Sequence, residues 1–363
     1  MTHSEPKHPL VYIGTYTQPL PHVAGRGEGI YACRFNPADG SLSRPVLASD
    51  AAVSPSYLAV APNRRTLYAV QETDEGHNPA VFAFAIEPDG GLRYLNHQPA
   101  HGGLPCHVSV DSTGRFVLAA NYGAGSVVVF PVDDDGRMRP ATDVVRHSGS
   151  GPNPARQEGP HAHQAAFGPE NNVVFVPDLG LDKIMAYRLN AESGQLVPHD
   201  PPFCPVHPGA GPRHVAFHPG GRFAFGINEL DATVIVFAHR DGTLTPGHTA
   251  TALPADFSGE PSGAAIRVSP DGRFVYAANR GHDSIAIFAF DEATATLTPL
   301  GHRATQGQTP RDFAIDPAGA FLLAANQDSD TIVTFHINRQ TGALNATGHV
   351  TRVPNPVCVV FVR

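Results

Sequence analysis

An all-β ring of repeated four-stranded units, a seven-bladed β-propeller, is the fold that this sequence predicts. Three observations carry the prediction. One segment returns at a spacing of about 50 residues, short β-rich runs are punctuated by turn residues, and no stretch shows an apolar stripe of helical period. The segment runs from Pro212 to Pro219, then Gly221-Arg222-Phe223, Asn228 and Val234–Phe237. It returns as Ser269–Arg280 followed by Ile285–Phe288, and again as Pro310–Pro317 with Ala324–Gln327 and Ile332–Phe335. Such a repeat is one supersecondary unit copied and packed against its copies. The chain from 1 to 363 therefore reads as a single domain, with a short disordered tail over about residues 1–8.

Within a copy, the alternating run Val215, Phe217 is the first strand and a Pro-x-Gly-Arg type turn follows. Phe223–Ile227 is the second strand and Thr233–Ala238 the third, and a weaker fourth follows the turn at Asp241-Gly242. Four antiparallel strands in radial repetition make a propeller blade. Entrances to the first strand fall near Pro55, Pro105, Pro160, Pro212, Pro261, Pro310 and Pro356, which counts seven blades. After Pro356 only one strand's worth of chain remains, Val357–Val362. The N-terminal segments Val11–Thr15, Gly29–Phe35 and Arg44–Ala48 match the second, third and fourth strands of a blade. The last blade is thus expected to be closed by both chain ends, which leaves no long open edge.

Composition narrows the function classes. The net charge of −8 leaves no basic footprint for nucleic acid. No apolar run approaches the roughly 20 residues of a membrane span, and the first eight residues have no apolar stretch of the signal-peptide kind. Cys33, Cys106, Cys204 and Cys358 are far apart, with no zinc-type spacing, and suit a reduced cytoplasm. The expectation is a cytoplasmic protein, a monomer or weak homo-oligomer, with no cofactor and no metal.

Function then has to come from a site. In an up-and-down blade the start of strand one and the end of strand two lie on one face near the central channel. The first such column runs Ser56, Cys106, His163, Arg213, Ala264, Arg311. The second runs Tyr16, Glu72, Tyr122, Leu179, Glu229, Arg280, Gln327. Just before the second column stand Thr15, Gln71, Asn121, Asp178, Asn228, Asn279 and Asn326, a repeated set that reads as turn-capping. The flanking columns instead gather His163, Arg213, Glu229, Arg280, Arg311 and Glu72 at one mouth. Arginines clamp phosphate or carboxylate through two parallel hydrogen bonds, and Glu or His moves protons. The alternative is that these groups only pair with one another along a wet channel. A metal held by His161 and His163 lacks an evident third ligand. With no Gly-x-Ser-x-Gly elbow, a serine nucleophile is not expected.

The stretch Asn153–Gln164, with Arg156-Gln157-Glu158-Gly159-Pro160-His161-Ala162-His163 at its centre, resembles the signature of the seven-bladed propeller lactonases. That family includes bacterial 6-phosphogluconolactonases and fungal carboxy-cis,cis-muconate cyclases. Val11–Thr17, Gly211–His214 and Ala278–Gly281 resemble it too, so the likeness spans about Val11 to Val362. It implies a lactone hydrolase of the 6-phosphogluconolactonase type acting on a small anionic lactone or carboxylate. The alternatives are a lactonising cyclase and a non-catalytic scaffold. By position it implies His163, Glu229, Arg213 and Arg280 as the catalytic set, with either Glu229 or His163 as the base. The loop His147–Pro160, inserted before the third blade, is expected to cover the mouth with Arg156 and Gln157 facing ligand. His161, Arg311 and Glu72 complete the expected binding residues.

Overall fold

The computed structural model describes residues 8–362. Seven four-stranded antiparallel sheets form the blades, and six of them run in sequence order from the inner to the outer strand. The fourth blade, for example, is Pro212–Phe217, Phe223–Asn228, Thr233–Arg240 and Thr243–Thr251. The closing blade takes its inner strand, Pro356–Phe361, from the C-terminus and the other three, Leu10–Thr15, Ile30–Arg34 and Val46–Ser49, from the N-terminus. The expected closure is what the chain builds. The tail expectation falls on residues outside those described, except at its last position, where His8 Nδ1 lies 3.1 Å from the Phe35 carbonyl oxygen.

Second and third strands are buried on both faces, as Phe116–Asn121 and Ser126–Pro131 show, because each blade is sandwiched between two others. Outer strands such as Thr243–Thr251 keep an exposed face. The core is a set of seams between blades. In one of them Tyr276, Ile285 and Ile287 of the fifth blade pack against Phe313, Leu322 and Phe335 of the sixth.

The repeated Gly of the first turn is a conformational requirement. Gly272 has φ +75°, and a Cβ there would stand 2.0 Å from the His218 ring of the preceding blade. The repeated Asn column is structural, as its periodicity implied. Asn121, Asn279 and Asn326 donate their amides to the carbonyls of Ala100, Ala252 and Thr305, in the connectors that lead into their own blades. In the third blade Asp178 does the equivalent work, accepting from the His161 amide at 2.8 Å and facing His147 Nδ1 at 2.5 Å.

Candidate active site

The blade entrances share one local device. Pro105, Pro212 and Pro310 each pair with the Asn that ends strand two, and the ladder resumes only at His107, His214 and Asp312. Cys106, Arg213 and Arg311 are therefore the extra residues of β-bulges. A bulged residue leaves the ladder and its side chain is re-aimed, here at the channel mouth. The residue before each of these prolines, Leu104, Gly211 or Thr309, has positive φ, which swings the chain into the bulge. In the third blade Ala162 bridges Asp178 as Pro212 faces Asn228, so His163 stands where Arg213 stands in the next blade. His163, and not His161, is thus the third-blade member of the first column.

Glu229 is the hub of the mouth. Arg213 Nε donates to its Oε2 at 3.1 Å and Arg156 Nη2 to Oε1 at 2.6 Å, while Arg280 Nη2, which donates to the Gly263 carbonyl, forms an ion pair with Oε2 at 2.9 Å. His163 Nε2 stands 3.8 Å from Oε2. Burial alone would push the Glu229 carboxyl up, but the guanidinium groups of Arg280, Arg213 and Arg156 hold it well below the ordinary carboxylate range. His163 is held well below its ordinary value by burial and by Arg213, so it is neutral with a lone pair to offer. Arg213 is lowered to about 10 by burial and by the neighbouring Arg280 and Arg311.

A cavity of about 330 Å³ opens at this mouth. Its wall includes Arg156, His163, Glu229, Arg280, Arg311 and His22. Arg213 lies behind the wall: its Nη1 donates to the Ala264 carbonyl at 2.7 Å and faces His214 Nε2 at 3.4 Å, so its Nε and Nη1 donors are taken by protein. Arg311 is the reverse. Among the described residues it has no hydrogen-bond or carboxylate partner, and its guanidinium lies 5.4 Å from the centre of the Tyr16 ring. Below the mouth the rings of His163, His214, His107 and Tyr57 follow one another at centroid separations of 5.4, 5.8 and 4.3 Å. Burial, together with Arg267 and Arg213, lowers His107 to about 3, and burial and Arg213 hold His163 and His214 well below their ordinary value, so the three imidazoles of this row are neutral.

Three expected binding residues stand elsewhere. Gln157 is fully buried inside its own loop, donating to Leu179 O and Asp182 Oδ1, both at 2.8 Å. It braces the loop and is not part of the cavity wall, because the turn from Asn153 aims adjacent side chains in opposite directions: Arg156 reaches the cavity and Gln157 the core. His161 stacks on Tyr122 with centroids 4.4 Å apart and faces the Tyr122 carbonyl and Glu158. Glu72 sits behind Tyr16, whose hydroxyl donates to both its oxygens at 3.0 Å, and it also accepts from Ser56.

Sequence reading missed His22. It is carried by the hairpin Pro19–Leu20/Val23–Ala24, an excursion between two strands of the closing blade. The long interval from Thr15 to Gly29, where other blades have tight turns, was the available signal.

A family model for the 7-bladed β-propeller lactonases matches residues 10–361. The chain belongs to the seven-bladed β-propeller lactonase family. Among its relatives, the 6-phosphogluconolactonase of Bacillus subtilis is 41% identical over 357 residues, covering 96% of this chain and 97% of the relative. That of Formosa agariphila is 35% identical over 316 residues, covering 84% and 86%. The solved structure of the Pseudomonas aeruginosa periplasmic gluconolactonase PpgL superposes with a TM-score of 0.91 at 36% identity, covering 98% of this chain and 99% of that one. In this lactonase no helix of the described residues is long and apolar enough to cross a membrane.

Proposed function

We propose that the protein hydrolyses a phosphorylated sugar lactone, 6-phosphogluconolactone, to the open-chain acid in the cytoplasm. Relatives of that name support the substrate, and four unpaired buried cysteines suit a reduced compartment. The observation that carries the reading is charge. Three arginines and a single carboxylate line the cavity of an otherwise acidic protein, so the site holds an excess of positive charge that only an anionic ligand balances.

In the reaction, water adds to the lactone carbonyl carbon and the bond from that carbon to the ring oxygen breaks. His163, neutral and on the cavity wall, accepts the proton of the attacking water, and the imidazolium so formed faces the Glu229 carboxylate. The same proton then passes to the departing ring oxygen. Glu229 is a poor base, because three guanidinium groups stabilise its charged form; it anchors those arginines instead. Arg280 and Arg156 keep N–H groups not spent on Glu229 for the oxyanion that develops at the carbonyl. Arg213 is a positioning residue that fixes Glu229 from behind. Arg311 receives the phosphate.

The test is a pH-stat assay of the purified protein on 6-phosphogluconolactone, glucono-δ-lactone and carboxymuconate. Hydrolysis of the phosphorylated lactone well above its spontaneous rate, retained after dialysis against EDTA, is expected. A rate no faster than the spontaneous one would overturn the reading, and turnover of carboxymuconate alone would replace it with a cyclase.

A further inference from the structure

The part of the cavity wall formed by His22 and Arg311 has a construction of its own. The hairpin that carries His22 is pinned at both sides. Leu20 and Val23 pack with Tyr16 and Val357, Gly27 N donates to Tyr16 O at 2.8 Å, and Arg26 N donates to Asn355 Oδ1 at 2.8 Å. Gly27 is required there, since a Cβ would stand 2.2 Å from Thr15 Oγ1 and 2.9 Å from Tyr16 O. His22 is exposed overall, yet it lines the cavity together with Arg311. Its Nε2 is 3.3 Å from the Tyr16 hydroxyl, and Arg311 lies over the face of the same tyrosine.

The hydrogen-bond chain fixes the proton on His22. The Tyr16 hydroxyl hydrogen is committed to Glu72, so only oxygen lone pairs are left for His22. Nε2 must then carry the hydrogen, and Nδ1 keeps a free lone pair. In the free protein the ring stays neutral: burial, Arg311 and Arg280 lower it to about 4, against the opposing pull of Glu229 and Asp328. A phosphate dianion seated at Arg311 reverses the sign of the local field and makes a proton on Nδ1 favourable.

We propose that His22 and Arg311 form the subsite that selects a phosphorylated lactone over its unphosphorylated counterpart, with His22 taking up one proton from solvent as the dianion seats. This rests on the hydrolase reading above. The charge-assisted bonds so formed would explain how a propeller mouth built around Glu229 distinguishes two lactones with the same reacting carbonyl.

The experiment compares wild type, His22→Gln and Arg311→Gln on 6-phosphogluconolactone and glucono-δ-lactone. Each substitution should lower the ratio of kcat/KM values, phosphorylated over plain, by about tenfold or more, the scale of one charge-assisted hydrogen bond. Calorimetry of 6-phosphogluconate binding at pH 6.5, in buffers of different ionisation enthalpy, should show wild type taking up close to one more proton than His22→Gln. A ratio that moves less than about twofold in both variants, or equal proton uptake in wild type and His22→Gln, would overturn the subsite while leaving hydrolysis in place. Wild type inactive on both lactones would instead remove the hydrolase reading, and this inference with it.

Discussion

Replacing Glu229 by Gln separates an anchor from a base. The substitution keeps the shape and removes the charge that Arg213, Arg280 and Arg156 share at 3.1, 2.9 and 2.6 Å. Glu229 is only 5% exposed, and Arg213 only 2%, so solvent cannot replace the lost partner. Removing one member of a buried ion pair costs about 3–5 kcal/mol, because the remaining charge is left uncompensated. The same group sets an acid limb on stability. Its folded value lies well below its ordinary value near 4.5, so its contribution is present above that value and is lost as pH falls toward the folded one. Glu229→Gln should therefore lower the urea midpoint at pH 7 and flatten the acid limb, while kcat/KM drops because Arg280 and Arg156 lose their aim. Urea denaturation at several pH values, run beside the lactonase assay, reads both effects. Activity lost by about 10²–10⁴-fold with an unchanged denaturation midpoint would refute the anchor argument and make Glu229 the base.

Three further outcomes follow from the same geometry. His163→Asn should lower turnover by about 10²–10⁴-fold with little change in fold, and in wild type kcat/KM should hold its neutral-pH value to well below pH 6.5, because the folded imidazole protonates only at lower pH; a wild-type profile falling at the ordinary histidine value would count against His163. Arg213→Lys should not restore wild-type kcat/KM, since an ammonium cannot reach Glu229, the Ala264 carbonyl and His214 at once, and a fully active variant would contradict the positioning role. Deleting residues 357–363 strips Val357, Val359 and Phe361, each at most 8% exposed, from the closing blade. At about 1.5–3 kcal/mol per side chain, that is comparable to a domain's whole stability, so the truncated chain should be insoluble; unchanged thermal stability would refute the closure.

Much of this was legible because a propeller repeats. The periodic entrances counted the blades, and the shared Asn column gave a ruler against which His163 and Arg213 could be placed in one register. The closing blade's fourth strand ran slightly late, at Val46–Ser49 against the expected Arg44–Ala48, because a strand exposed on one face has a weaker apolar signal. Roles were harder to read than places. Arg213 and Arg311 occupy equivalent bulges, yet one is spent on Glu229 and the other is free, and only the neighbouring blades decide which. Gln157 was expected to follow Arg156 because the two are adjacent in the motif, whereas adjacent residues of a turn diverge. His22 sits on a hairpin between two strands of the closing blade, outside the repeated unit, so the repeat carries no signal for it.

The bulge at each blade entrance has a wider meaning. The ladder residues on either side are bound by pairing, by burial and by two neighbouring blades, so they change only at a cost to the ring. The bulged residue is released from the pairing alone, for Cys106 and Arg213 remain buried. Cysteine occupies it in one blade and arginine in two others, with the same strand geometry around them. These three blades thus each offer the mouth one position whose side chain can differ while the strand pairing stays the same. New specificities on this scaffold should come first from exchanges at Cys106 and Arg311, which line the cavity and belong to none of the seams between blades, rather than at Ala264, which is packed into one.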